Sequence, residues 1–119
     1  MILPTTLMTR YKRFDVLVTA FPFADSGLAK KRPVVCVASF RPTPAIELYW
    51  VLMITSSKMK KWRGDIEIHD LKTAGLPIPS IIRTCKIACI DASLIEKRVG
   101  TLDDATKEGV HAAIVKVFE

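Results

Sequence analysis

Residues 80–91, SIIRTCKIACID, decide the fold. β-branched and small apolar residues dominate the stretch, and no helical period runs through it. As an uninterrupted strand it sets Ile81, Arg83, Cys85 and Ile87 on one face and Ile82, Thr84, Lys86 and Ala88 on the other. Arg83 and Cys85 are then expected to point the same way.

Working outward, residues 47–55 (ELYWVLMIT) and 33–38 (PVVCVA) read as two more strands, the second apolar enough to be central in a sheet. Residues 15–21 (DVLVTAF) form a first strand ended by Pro22, and residues 64–68 (GDIEI) alternate like a half-exposed edge. Between them lies the basic stretch 56–63, SSKMKKWR. The 71–75 piece allows one helical turn closed by Gly75, Pro77 and Pro79. A short strand end at Val99 and Gly100 leads to Thr101, expected to cap a C-terminal helix whose apolar face is Val110, Ala113, Ile114, Val117 and Phe118. This pattern is α+β and mainly β: a curved antiparallel sheet or small barrel with a final helix.

The 119 residues suit a single domain, 1–119, with its core at about 12–118 and a loose leader at 1–11. No apolar run reaches the roughly 20 residues of a bilayer span, so a soluble cytoplasmic protein is expected. The three cysteines, Cys36, Cys85 and Cys89, lie in strand-like text without zinc-site spacing and are expected as reduced core residues; no metal and no cofactor is expected. The 18 Lys and Arg outnumber the 12 Asp and Glu for a net charge of +6, with basic clusters at 10–13, 30–32 and 58–63. Such clusters favour a polyanion, of which nucleic acid is the commonest.

The ordered segments FDVLVTAFPFADS, KKRPVVCVAS, ITSSK, GDIEI, AGLPIPSIIRTCKIACID and VGTLDD resemble the PemK/MazF toxins of type II toxin–antitoxin systems, over roughly residues 12–118. The resemblance implies an SH3-like barrel that forms a homodimer and cuts single-stranded RNA at short motifs without metal. It also implies a cognate antitoxin as partner. The apolar third strand and terminal helix fit the dimer.

Cutting RNA without metal uses the substrate's own 2′-hydroxyl, so the protein must supply a cation for the phosphorane and acid–base partners. The resemblance assigns Arg32, in the family's Arg-Pro pair, and Thr55, at the third strand end, to that chemistry. Arg83 is the third catalytic candidate. The family's carboxylate two residues later is replaced here by Cys85, a thiol that is a poor substitute acceptor. Expected RNA contacts are Lys30, Lys31, Ser56, Lys58, Lys60, Lys61, Trp62, Arg63 and Lys86, with Trp62 able to stack on a base. Phe14 stands where the family commonly has glycine, and the 24–31 loop carries Lys30 and Lys31 instead of an acid. His69 and His111 fall on no catalytic position of the family. Alternatives are a catalytically degenerate member that still binds RNA or antitoxin, and a gyrase poison of the related CcdB fold.

Overall fold

The computed structural model describes residues 9–20 and 31–119. Six strands, β1 (Asp15–Ala20), β2 (Lys31–Thr43), β3 (Ile46–Ser56), β4 (Asp65–Glu67), β5 (Ser80–Asp91) and β6 (Ile95–Thr101), form one antiparallel sheet in the order β4-β5-β3-β2-β1-β6. A short helix α1 (Leu71–Ala74) follows β4, a 3-10 turn at Ala92–Leu94 joins β5 to β6, and α2 (Asp104–Val117) closes the chain. The sheet is not closed, since β4 and β6 remain its two edges.

The chain's connectivity forces the sheet to bend. Asp91 stands opposite Leu48 and Ile95 opposite Thr19, on strands four places apart in the sheet. In a flat sheet those strands would lie about 19 Å apart. Four residue steps reach about 14 Å at most. The sheet therefore folds over on itself, with the irregular pairing this needs at Cys36/Ala38 in β2, at Leu52/Met53 in β3 and at two points of β1.

Alternation along the strands gives each face its own core. Val16, Val35, Leu52, Ile54 and Ile82 meet Ile68, Ala74, Leu102 and Val110 under the helices. Leu17, Val34, Cys36, Tyr49, Val51, Ala88 and Ile90 meet Ala92 and Ile95 inside the fold of the sheet. β2 runs past the expected end at Ala38 because a tight turn at Pro44 and Ala45 lets it pair with β3 as far as Thr43 with Ile46. β6 was legible only at its end, because Glu96, Lys97 and Arg98 are the exposed charges of an edge strand.

Several local expectations are corrected. Thr101 ends β6 and donates from its hydroxyl to the Phe14 carbonyl (3.2 Å); the α2 cap is Asp103, which accepts from the amide and hydroxyl of Thr106 (2.9 and 2.7 Å) and from the Asp70 amide (3.0 Å). The α2 face buries only its first half: Thr106 and Val110 are sealed, while Val117 and Phe118 are 63% and 75% exposed. Cys36 is buried, but Cys85 and Cys89 are exposed, so only one of the three behaves as a core residue. Phe14 takes φ 73°, the left-handed region that glycine occupies at little cost. Its amide donates to the Cys36 carbonyl (2.6 Å), its carbonyl accepts from Leu102 (3.1 Å), and its ring lies 4.6 Å from the Arg13 guanidinium.

Of the expected leader, Arg10 and Tyr11 are tied down by amide bonds to the Glu47 carboxylate and the Tyr49 hydroxyl (both 3.1 Å), and Thr9 bonds Ser39 (3.1 Å); residues 1–8 lie outside the described residues. Burial raises the Glu47 pKa, but the Tyr49 hydroxyl, the Arg10 amide and Arg41 more than offset it, and the carboxylate stays below its usual range. At the seam of α1 and β6 the backbones touch: a Cβ on Gly75 would overlap the Val99 carbonyl, and one on Gly100 the backbone of Thr73 and Ala74.

The Asp103 cap gives a signed pH prediction. Partial burial raises its pKa, but the Thr106 bonds and the Asp70 amide outweigh this and hold it below 3.8. A lowered folded pKa adds stability above the unfolded value and loses it as pH falls through the folded one. Asp103→Ala is expected to cost about 1–2 kcal/mol at neutral pH. Urea melts of both proteins should converge as the pH drops below 3.8.

Candidate functional site

Strand register brings the candidate residues together. Extended two residues beyond the Val34–Met53 pair, the β2–β3 pairing sets Arg32 opposite Thr55. Arg32 also faces Thr19 on β1, and Thr55 faces Ile81 on β5. The next row runs Leu17, Val34, Met53, Arg83 and Asp65 across five strands. Counting from Val34 and Val51, which lie in the inner core, Arg32, Thr55 and Arg83 all belong to the inner face. Arg32 and Thr55 are half-buried there, at the strand ends.

Arg83 is placed differently from the other two. Only 6% of its side chain is exposed. Residues 57–64 fold over it: Nη2 donates to the Lys60 carbonyl (2.6 Å), and the guanidinium carbon lies 3.9 Å from the centre of the Trp62 ring. Nε is 3.9 Å from Oδ2 of Asp65, whose side chain is 1% exposed. Thr84 adds a bond from its hydroxyl to the Gly64 carbonyl (2.7 Å). The cation expected to clamp phosphate thus clamps the loop.

After Arg83 the strand bulges. Met53 pairs Arg83 and Leu52 pairs Ile87, so Thr84, Cys85 and Lys86 have no partner on β3. This irregularity separates Cys85 from the alternation that was expected to place it with Arg83. The thiol instead lines an open groove of about 400 Å³ with Arg63, Gly64, Thr84, Ala113, Lys116 and Val117. Among the described residues, no carboxylate lines it.

The other expected contacts are spread around the loop. Lys58, Lys60, Lys61 and Arg63 are exposed, and Trp62 keeps 44% of its surface open although Arg83 covers one side of the ring and the Lys86 ammonium stands 5.8 Å from its centre. Lys31 pairs with Glu96 (3.1 Å) and Lys61 with Glu67 (3.6 Å), both at exposed positions where competing phosphate would displace them at little cost. Ser56 shapes the turn instead, accepting from the Lys58 amide (3.2 Å). Lys30 and the rest of the 24–30 loop lie outside the described residues. Among the described residues, no three His, Cys, Asp or Glu side chains gather as a metal cage.

Sequence reasoning missed Asp65, which reads as one exposed acid of an edge strand. The available signal was its spacing of three from Trp62: Trp62 and Asp65 close a turn in which the Asp65 carboxylate accepts from the Trp62 amide (2.8 Å) and the Asp65 amide donates to the Trp62 carbonyl (3.2 Å).

A second surface is apolar. Trp50, Ile87, Ala88, Cys89 and Phe118 line an open groove of about 380 Å³, and Phe40 packs on Trp50 at 5.1 Å between ring centres. No helix among the described residues is long and apolar enough to cross a membrane.

Residues 12–118 match the family model described as PemK-like, MazF-like toxin of type II toxin-antitoxin system. No curated protein matches the chain by sequence. Among solved structures, the Mycobacterium tuberculosis toxin MazF-mt6 superposes with a TM-score of 0.66 at 18% identity, covering 87% of this chain and 95% of that one. An endoribonuclease in complex with its cognate antitoxin, from a mycobacterial species, gives 0.66 at 12% identity over 89% and 92%. An endoribonuclease from a mycobacterial species gives 0.65 at 15% over 93% of each chain.

The cysteines supply a check on the placement of β5. Burial first, and then the Asp15 charge, push the Cys36 thiol up to about 12, so it stays protonated and enclosed. In native protein at pH 8 a thiol reagent should label Cys85 and spare Cys36. Mass spectrometry of the labelled peptides should find Cys36 modified only after unfolding.

Proposed function

Because the chain belongs to the PemK-like, MazF-like toxins of type II toxin–antitoxin systems, we propose that it is a metal-independent endoribonuclease that cuts single-stranded RNA at short sequence motifs. The observation that carries this reading is the placement of Arg32 and Thr55 at the ends of the paired strands β2 and β3, opposite one another when the register is extended from Val34 and Met53, beside an exposed loop of Lys58, Lys60, Lys61 and Arg63. A guanidinium is always charged and presents parallel N–H donors to two phosphate oxygens. A neighbouring hydroxyl can donate to the third oxygen or orient it.

In the reaction drawn from this arrangement, the substrate's 2′-oxygen attacks its own phosphorus. A new P–O2′ bond forms as the P–O5′ bond breaks; the 2′-hydroxyl gives its proton to solvent and the leaving 5′-oxygen takes one from solvent, leaving a cyclic phosphate and a 5′-hydroxyl. Arg32 stabilises the charge that grows on the phosphorane, and a fixed cation there acts on the transition state more than on the ground state. Thr55 holds the phosphate in line. Arg83 supports both from beneath the loop, and Trp62 offers its open side to a base.

Arg32→Ala is expected to lower kcat at least a hundredfold with the fold unchanged by circular dichroism, and Thr55→Val about tenfold. The assay is cleavage of a long, structure-poor RNA in EDTA, with mapping of the new ends. Cuts at one short motif bearing 5′-hydroxyls are the expected product. RNA bound but never cut would replace catalysis by binding, the reading favoured by Cys85 in the carboxylate position.

The proposed partners are single-stranded RNA, a cognate antitoxin and a second copy of the chain, acting in the cytoplasm. Phe40, Trp50, Ile87, Cys89 and Phe118 provide the apolar surface for the homodimer, exposed to water in the single chain. Sedimentation at micromolar concentration should give a dimer. Trp50→Glu should give a folded monomer.

A further inference from the structure

We propose that Asp65 is the positioning residue of this site: from the strand next to Arg83 it fixes Trp62 as a preformed stacking surface for a base of single-stranded RNA. The inference rests on the endoribonuclease reading and deepens it.

Three observations converge on Asp65. First, strand register pairs it with Arg83, so the carboxylate and the guanidinium occupy one row of the sheet. Both are sealed from water, with side chains 1% and 6% exposed. A buried cation without a counter-charge is costly, and the carboxylate of Asp65 is the one that the structure sets against Arg83. Second, Asp65 holds Trp62 through two backbone bonds, one to its carboxylate and one from its amide. Third, the guanidinium carbon beside this carboxylate lies over the Trp62 ring, 3.9 Å from its centre, a cation–π distance.

The consequence is an ordered sandwich. Asp65 fixes the backbone of Trp62 and the charge of Arg83; Arg83 lies over the indole; Trp62 stays 44% exposed, with the Lys86 ammonium 5.8 Å from its ring centre and exposed Lys60, Lys61 and Arg63 close to it in the chain. Stacking on an aromatic ring accepts any base, and the surrounding ammonium and guanidinium groups suit the backbone phosphates. A ring held in place before binding loses less entropy when a base arrives. The pair is also incomplete: Nε of Arg83 and Oδ1 of Asp65 have no hydrogen-bond partner among the described residues.

Asp65→Asn tests this, with its fold checked by circular dichroism. With Trp50 replaced by Phe, Trp62 is the sole tryptophan, and its emission and iodide quenching report the sandwich. Asp65→Asn should shift that emission and raise quenching, because the ring is released. In the native background it should raise KM for a short single-stranded RNA about tenfold, the scale of one lost stack, with kcat within about threefold. Asp65→Glu should recover part of the KM. Unchanged Trp62 emission with unchanged KM overturns the proposal. So does a fall in kcat at constant KM, which would make Asp65 part of the reacting machinery.

If the wild-type protein never cuts, the nuclease reading fails by itself, and Kd for the same oligonucleotide replaces KM; a tenfold rise in Asp65→Asn still supports the sandwich, and wild-type protein that does not bind the RNA overturns it. Should Asp65→Asn not fold, Trp62→Leu leaves the buried pair intact and must raise KM or Kd alike. No change there overturns the proposal.

Discussion

The three-residue link between β5 and β6 is the constraint on which the rest of the molecule depends. It ties strands four places apart in the sheet, and no flat arrangement can satisfy it. Bending the sheet encloses one set of alternating side chains within the fold and leaves the other to be covered by α1 and α2. Both faces must therefore be apolar. This is why Val16 and Leu17, Val34 and Val35, Val51 and Leu52 are all buried neighbours rather than an alternation of apolar and polar residues. The same bend gathers the ends of β1, β2 and β3, where Arg32 and Thr55 stand.

Much of this was legible in the sequence, for definite reasons. Runs of branched residues in 33–38, 47–55 and 80–91 have one stable outcome, a central strand, and each became one. The alternating GDIEI segment became an edge because its Asp and Glu are separated by single isoleucines. The helical turn at 71–74 was legible from Gly75, which takes the left-handed conformation; its cap Asp70, which accepts from the Thr73 amide, was not singled out. Sheet order was not legible in the same way. It depends on long-range pairing, and nothing local in residues 95–98 announces a strand.

The candidate residues came from the resemblance and their geometry did not. Arg32 and Thr55 were named through ordered segments, and strand register sets them at neighbouring strand ends. Arg83 was named too, but its burial under residues 57–64 could not be, because that depends on where a polar loop folds. Three unpaired residues in β5 overturn the simplest reading of alternate residues, and with it the expected partnership of Arg83 and Cys85. A bulge leaves little trace in composition when the inserted residues, Thr, Cys and Lys, all suit a strand. Asp65 escaped for the complementary reason: its partner is near in the sheet and 18 positions away in the chain.

The seam between α1 and β6 bears on how the chain can change over generations. Gly75 and Gly100 leave no room for a methyl group, and Gly75 also holds φ 73°. Neither belongs to the proposed site. Wherever selection disfavours a toxin's action, lineages accumulate whichever lesions silence it. Each of these glycines is a target at which any replacement unseats helix from strand while Arg32, Thr55, Asp65 and Arg83 are left intact in the gene. Inactive descendants can thus carry a complete set of site residues, and reading activity from those residues alone would count them as competent.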